Sequence, residues 1–297
     1  KMVKLYSELE DYYSKLFENH FIAKEGFYLK FKSKDYEGTV TKGDGKPLLE
    51  FKFDHKHEIN DIKIKKSFTL RSSGEHTIDG KADISKVIDK STLTHSINFN
   101  SATHDFDALL SFHNKSIKKM YSRWDFHYFK GGEWTFTPNV SRQLCKKIAI
   151  GWDFTFNGAK NELTSMNLAL MFRPNKWVRA VLARNIAGSI NKNTDWLRTG
   201  LVTFKSRSKL DKNTKIGFDY IYNLETKAAA LELGLKTHPA EGFMVKSRIN
   251  SGGDAEVAAK LKIADKWHLL VATAFNAGEV TGKQQPHIGV GLEGKLD

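Results

Sequence analysis

The sequence feature that most limits the fold is an alternation of apolar and polar residues that begins at Gly26 and continues almost to the last residue. The final stretch, HIGVGLEGKLD (287–297), shows it clearly, because Ile288, Val290 and Leu292 alternate with histidine, glycine and charged residues. A period of two places alternate side chains on opposite faces of a β-strand. The pattern therefore predicts strands that each have one apolar face and one polar face.

Clusters rich in glycine, proline and asparagine separate these alternating runs. Examples are GDGKP (43–47), SSGEH (72–76) and NSGGD (250–254), which are typical of turns between strands. The runs number roughly 18 to 20, with about 7–11 residues in each and connections mostly of about 2–6 residues. No linker-like or low-complexity stretch divides them, so we expect one sheet over residues 26–297.

The number of strands determines which face meets water. A soluble closed barrel must fill its interior with apolar side chains, but nearly 20 strands enclose a space that is too wide to fill in this way. Strands of about 9–11 residues are long enough to cross a bilayer when they are tilted. We therefore expect an all-β transmembrane barrel with its apolar face toward lipid. The mean hydropathy of −0.46 is compatible with this, since only every second residue would contact lipid.

The width of such a barrel follows from the geometry of its strands. About 19 strands spaced about 4.8 Å apart and tilted by roughly 40° give a backbone diameter of about 38 Å and a lumen of about 25 Å. That lumen admits nucleotides and organic anions and excludes folded proteins. The net charge of +13 predicts attraction to anions, although by itself it does not say which anions.

Basic residues exceed acidic residues on the polar parity of the strands. Since the screening length at physiological salt is about 8 Å, this excess predicts a weak preference for anions rather than exclusion of cations. The acids that share the parity include Asp54, Asp125, Glu232 and Glu293. The basic residues that we expect to line the pore are Lys30, Lys32, Lys52, Lys63, Lys65, Arg71, Lys215, Lys227, Lys236, Lys246, Arg248, Lys260, Lys262 and Lys295.

The N-terminal stretch VKLYSELEDYYSKLFENHF (3–21) has a different period. Leu5, Leu9, Tyr12 and Leu16 recur at intervals of three and four residues, which predicts an amphipathic α-helix within residues 1–25. Its polar side is not strongly cationic, as a helix that rests on a membrane surface would require. We therefore expect the helix in or near the pore, with these four side chains against the barrel wall.

A helix, about 19 strands and a closing strand HIGVGLEGKLD together resemble the voltage-dependent anion channel family, the eukaryotic mitochondrial porins. The stretches LYSELEDYYSKLF (5–17) and GFYLKFKSK (26–34) resemble the helix and first strand of the family, and residues 231–278 resemble strands near its C-terminus. The barrels of this family have 19 strands, so the resemblance implies 19 strands, within the range of roughly 18 to 20 that the alternation gives.

The resemblance implies a channel of the mitochondrial outer membrane that passes small anionic metabolites by diffusion. It also implies that the closing strand acts as an insertion signal, with His287, Gly289, Val290 and Leu292 as the matching residues. The expected partners are membrane lipids and anionic metabolites such as nucleotides and phosphate. Association with a second copy or with other subunits of a membrane complex stays open.

Two alternative functions share this fold. The first is a protein-import barrel, whose pore favours cationic presequences and would be expected to carry acidic patches. The second is a porin-like barrel that serves as a structural subunit of a membrane complex.

Enzymatic, metal-binding and nucleic-acid-binding functions are not favoured. No nucleophile elbow, P-loop or dinucleotide fingerprint is present, and we expect no cofactor. His55 and His57 lie two apart on one side of a strand, but histidines near a turn explain them better than a metal pair does. Cys145, the single cysteine, excludes an internal disulfide. Aromatic residues follow the apolar parity instead of interleaving with lysines as a platform for stacking bases would require, so no nucleic acid is expected.

Overall fold

The computed structural model describes residues 26–42, 48–60, 62–190, 194–195, 198–276 and 287–295. No helix within these residues is long and apolar enough to cross a membrane. The predicted N-terminal helix, with its contact residues Leu5, Leu9, Tyr12 and Leu16, lies outside the described residues. The strands within them are β1 (Gly26–Lys32), β2 (Tyr36–Lys42), β3 (Leu48–Ile59), β4 (Ile62–Arg71), β5 (Glu75–Asp83), β6 (Ser91–Asn100), β7 (Asp105–Asn114), β8 (Met120–Phe129), β9 (Trp134–Gln143), β10 (Ile148–Asn157), β11 (Glu162–Phe172), β12 (Val178–Ile190), β13 (Leu201–Lys209), β14 (Lys215–Asn223), β15 (Ala229–Ala240), β16 (Phe243–Asn250), β17 (Asp254–Ala264), β18 (Trp267–Asn276) and β19 (His287–Lys295).

These strands form one closed sheet. Each strand pairs antiparallel with the next, and β1 pairs with β19 in parallel from Gly26↔Gly289 to Lys32↔Lys295. An odd number of antiparallel strands leaves the first and the last running in the same direction, so closure requires a parallel pair. Closure leaves no strand edge unpaired. The predicted barrel of about 19 strands is confirmed.

The turns between the strands use residues that tolerate a left-handed backbone. Asn60 and Asn161 have φ angles of 47° and 52°, and Gly74 and Gly253 both have a φ of 88°. Asparagine and glycine are the residues that adopt such angles most readily in tight turns. The turn clusters SSGEH (72–76) and NSGGD (250–254) therefore lie where successive strands reverse direction.

The two faces of the sheet differ in exposure. On β15, β16 and β17, Leu233, Ile249 and Leu261 share one face and are 46%, 41% and 44% exposed, whereas Lys246 and Ala258 on the other face are both 1% exposed. Side chains on the concave face of a closed sheet crowd together, and those on the convex face spread apart. The apolar face is therefore the outer face, and the charged face is the inner one.

Large aromatic side chains on the outer face lie over glycines of neighbouring strands. The ring of Trp267 on β18 occupies the space that a Cβ at Gly294 on β19 would take, and Phe31 lies in the same way over Gly38. An aromatic ring that covers a glycine shields the exposed backbone and fixes the register of the pair. The strands around the seam between β1 and β19 are therefore stabilised by packing on the outer face.

Candidate functional site on the inner face

The inner face of the barrel carries the basic residues that the alternation pointed to, with one exception. Lys227 lies in the turn between β14 and β15 with a φ of 58°, so it has no position on a strand face. The alanines that follow it, residues 228–230, gave no clear parity from which the start of β15 could be read. The others lie at inner-face positions of β1, β3, β4, β14–β17 and β19, namely Lys30, Lys32, Lys52, Lys63, Lys65, Arg71, Lys215, Lys236, Lys246, Arg248, Lys260, Lys262 and Lys295.

Ion pairs between strands neutralise part of this charge. The Nε of Arg71 lies 2.6 Å from a carboxylate oxygen of Glu50, and the Nζ of Lys65 lies 2.8 Å from Asp54. Lys260 on β17 also pairs with Glu293 on β19. These groups are partly exposed, so each pair contributes about 0–1 kcal/mol to stability. Their main effect is to reduce the positive potential near β3, β4 and β17–β19.

Lysines face one another in register across β13–β16. Lys209 is opposite Lys215, Lys215 is opposite Lys236, and Lys236 is opposite Lys246. We call these four residues the basic row. Like charges directly opposite each other on one face of a sheet destabilise the pairing. The basic row therefore concentrates positive potential on one part of the inner face.

The row beside it adds both charge and space. Arg207 on β13 is opposite Arg179 on β12 and Gly217 on β14, and Gly217 is opposite Gly234 on β15. Two adjacent glycines leave the inner face without side chains beside the basic row. Arg179 and Arg207 therefore extend the positive charge of the basic row, and both glycines beside them are buried.

The other side of the barrel has the opposite charge. In the closed sheet, eight strands lie between β5 and β14 on one side and nine on the other, so the two strands face each other across the barrel. The inner face of β5–β10 carries more acidic than basic residues. We call this region the acidic wall; its acids are Glu75, Asp79, Asp83, Asp105, Asp107, Asp125 and Asp153, and its basic residues are Lys81 and Arg123. Arg123 pairs with Asp125 at 2.6 Å, and the Nε2 of His127 lies 2.9 Å from Asp107. The inner face is thus basic on one side and acidic on the other.

An apolar patch lies between the acidic wall and the basic row. Ala169 on β11 is opposite Ala183 on β12, and Met171 is opposite Val181. Ala169, Val181 and Ala183 are 1–2% exposed and form one cluster with Met171. This inner apolar patch was not predicted, because Met171, Val181 and the two alanines have the parity that elsewhere carries polar residues.

The closing strand β19 contributes to both faces. His287 and Gly289 lie on the inner face, opposite Ala274 and Ala272 of β18. Val290 and Leu292 lie on the outer face, where Val290 is opposite Val271 and is 42% exposed. The four residues matched to an insertion signal therefore divide evenly between the faces.

The described residues contain no group of three or more histidine, cysteine or acidic side chains close enough to hold a metal ion. His55 and His57 lie on the outer face of β3 with their ring centroids 5.4 Å apart. Cys145 is exposed in the turn between β9 and β10.

Comparison with known proteins gives one family match and several likenesses in fold. Residues 33–289 match the model of the eukaryotic porin family. Among solved structures, a triple mutant of the Rhodopseudomonas blastica porin is 9% identical with a TM-score of 0.47, over 84% of this chain and 89% of that one. Another variant of that porin is 10% identical with a TM-score of 0.48, over 81% and 95%. The siderophore receptor PirA from Pseudomonas aeruginosa is 12% identical with a TM-score of 0.46, over 85% and 63%. No curated protein sequence gives a significant match.

Proposed function

The chain belongs to the eukaryotic porin family, whose barrels are diffusion channels, and we propose that it passes small anionic metabolites across the mitochondrial outer membrane. The proposed solutes include nucleotides and phosphate. The proposed route is the lumen of the barrel, lined by the basic residues of the inner face.

The observation that carries this proposal is the basic row. Lys209, Lys215, Lys236 and Lys246 stand opposite one another on successive strands, an arrangement that repulsion between like charges disfavours. Water and passing anions in a wide lumen screen the ammonium groups of Lys209, Lys215 and Lys236, whereas Lys246 is almost fully buried. A diffusing anion therefore gains favourable interactions along the wall without a tight site that would hold it.

The acidic wall keeps the proposed selectivity weak. A solute on the axis lies about 12 Å from either wall, which exceeds the screening length of about 8 Å at physiological salt. A cation can therefore travel near the acidic wall while an anion travels near the basic row. We expect a permeability ratio that favours anions only a few-fold.

We further propose that the N-terminal segment covers the inner apolar patch. Apolar side chains that line a water-filled lumen are unfavourable unless another apolar surface covers them. The stripe of Leu5, Leu9, Tyr12 and Leu16 supplies such a surface within the same chain. In a Cys145→Ser background, a cysteine at Leu9 paired with one at Val181 should form a disulfide on oxidation. Failure to form it, while the pore conducts normally, would place the segment elsewhere.

The closing strand carries the proposed insertion signal. Its residues His287, Gly289, Val290 and Leu292 combine a polar residue, a glycine and two outer-face apolar residues. Replacing Val290 and Leu292 with glutamine should reduce insertion into isolated mitochondria. The control replaces Thr41 and Thr69, which lie on the inner face, with glutamine. Equal insertion of both variants would remove β19 as the signal.

Conductance across a planar bilayer tests the channel proposal. The purified full chain should form pores with a conductance on the order of nanosiemens in KCl, as a water-filled lumen of about 25 Å implies. Under a KCl gradient, the sign of the reversal potential should indicate a mild preference for chloride. A strong preference for potassium would contradict the anion route, and the absence of conductance would indicate a barrel with a structural role.

The acidic wall favours a second candidate, a barrel that imports cationic presequences. Its inner acids, such as Asp79, Asp107 and Asp153, provide the negative surface that such a pore would use. The two candidates are distinguished by adding a cationic amphipathic presequence peptide at micromolar concentration. Frequent block of the current by the peptide, lost when these acids are replaced, would support import. A current that the peptide leaves unchanged, together with a chloride flux that is slowed when ATP is added, would support the metabolite channel.

A further inference from the structure

The outer face carries a row of ionisable side chains at mid-height. His55 on β3 is opposite Lys66 on β4, Lys66 is opposite Gly80 on β5, and Gly80 is opposite His95 on β6. Lys66 and His95 each lie near the middle of a strand of ten residues. Their outer-face neighbours along the strands are apolar, including Phe68 and Ile97, which are 36% and 39% exposed. We call His55, His57, Lys66 and His95 the outer cluster.

This position is unfavourable for the charged group in a bilayer. A lysine on the lipid face of a β-barrel is most destabilising at the midplane, and the effect becomes small near the interfaces. An ionisable residue at such a depth usually has a partner and a function. In the sequence IKIKKSF (62–68), Lys63 and Lys65 lie on the inner face, where Lys65 reaches Asp54, and Lys66 lies on the outer face. The outer lysine is therefore not needed for the charge of the lumen.

The side chains of the outer cluster lie on the neighbouring strands β3, β4 and β6. The ring of His95 lies over Gly80, within 2.0 Å of where a Cβ of that glycine would be, so it leans toward β4, where Lys66 lies. On the other side of Lys66, the rings of His55 and His57 stack against each other. The Nδ1 of His57 is buried and makes no hydrogen bond within the described residues. An ammonium group flanked by imidazoles that can donate hydrogen bonds is complementary to a carboxylate.

Two sources of an anion fit this surface poorly. The phosphate of a lipid headgroup lies about 15 Å from the midplane of a bilayer whose hydrocarbon core is about 30 Å thick. A second copy could not provide a carboxylate through the described part of its outer face, because the outer-face strand positions there carry no aspartate or glutamate. A carboxylate at this depth is most readily supplied by a side chain within a membrane-spanning segment of another protein.

We propose that the outer cluster is the docking site for a transmembrane segment of another protein that presents a glutamate or aspartate at mid-membrane depth. Lys66 pairs with the carboxylate, and the histidines donate hydrogen bonds to it. The apolar surface above and below the cluster packs against the rest of the segment. This site is separate from the lumen, so it serves assembly rather than transport.

Association with synthetic transmembrane peptides tests this proposal. The full chain, labelled on exposed Cys145, is reconstituted in phosphatidylcholine vesicles with a labelled leucine–alanine peptide that carries one central glutamate. Energy transfer should report association at least ten-fold stronger than for the same peptide with glutamine. Lys66→Met should remove the difference, and Lys65→Met, one residue away on the inner face, should keep it. Lys66→Glu should restore association when the peptide carries a central lysine.

Three outcomes would overturn the proposal. The first is equal association of the glutamate and glutamine peptides. The second is an unchanged preference for the glutamate peptide in Lys66→Met. The third is failure of Lys66→Glu to associate with the lysine peptide, although Lys66→Glu and the unaltered chain both form conducting pores. A further comparison uses vesicles that contain fluorescent phosphatidic acid and no peptide. Lys66-dependent binding of this lipid, without any preference for the glutamate peptide, would assign the cluster to lipid and reject a protein partner.

Discussion

Replacement of Lys209, Lys215 and Lys236 with glutamine should reduce the anion preference of the pore by an amount that depends on salt. These three residues belong to the basic row and lie on adjacent strands β13, β14 and β15. The fourth member, Lys246, is left in place because it is almost fully buried and its replacement would change packing as well as charge. The substitutions remove three positive charges from one part of the inner face.

The expected size of the effect follows from the distance to the axis. A unit charge about 12 Å away interacts through water with an ion on the axis by about 0.35 kcal/mol before screening. Screening reduces this to about 0.08 kcal/mol at 0.15 M salt and about 0.23 kcal/mol at 0.01 M salt. Three charges act on anions and cations in opposite senses, so the ratio of anion to cation permeability should fall about two-fold at 0.15 M and about ten-fold at 0.01 M.

Reversal potentials in KCl gradients at the two salt concentrations measure this ratio. The matched control replaces Lys86, Lys90 and Lys227, which lie in turns, with glutamine. The control changes the net charge equally but leaves the charges of the strands in place, so its effect should be smaller. If the control alters selectivity as much as the triple variant, or if the triple variant keeps its anion preference at 0.01 M, the basic row does not set the selectivity.

Two further predictions concern the stability of the barrel. Leu168→Lys places a charge on the outer face of β11, where the side chain is 52% exposed, and should destabilise the inserted barrel by about 2–4 kcal/mol in a urea titration with vesicles. Asn167→Lys, one residue away and opposite Asp153 on the inner face, should change stability far less. Gly294→Ala should displace the ring of Trp267, which lies 2.4 Å from the added Cβ, and should lower stability by about 1–3 kcal/mol. A Trp267→Leu background should remove most of that loss, and an equal loss there would mean that the ring is not responsible.

The sequence predicted the strands better than it predicted how their side chains are grouped. Alternation is a local signal, so each run such as AIGWDFTFN (149–157) indicates a strand without knowledge of the rest of the chain. The parallel pairing of β1 and β19 is not a local signal, because it depends on the total number of strands. The prediction that Lys227 lies on a strand was wrong because the alanines after it have no clear parity, so the sequence does not show where β15 begins.

The division of the inner face into a basic row and an acidic wall could not be read from net charge. Lys215 and Lys246 are 31 residues apart in sequence, and only the register across β14, β15 and β16 places them in one row. The outer cluster was missed because the adjacent lysines Lys65 and Lys66 read as one polar stretch, although they project to opposite faces. Predicting which charges lie together in a barrel therefore requires the register of its strands, whereas predicting the barrel fold does not.

The central claim, that the charged face meets water and the apolar face meets lipid, is tested most directly by cysteine accessibility along one strand. In a Cys145→Ser background, single cysteines replace Lys260, Leu261, Lys262 and Ile263 on β17, and the reconstituted proteins are treated with a charged, membrane-impermeant thiol reagent. Cysteines at positions 260 and 262 should react rapidly, and their reaction should reduce the conductance. Cysteines at positions 261 and 263 should react slowly, and a fluorescent label attached there before reconstitution should be quenched by brominated lipid. Reaction at positions 261 and 263 with protection of positions 260 and 262, or uniform reaction at all four positions, would contradict this assignment of the two faces.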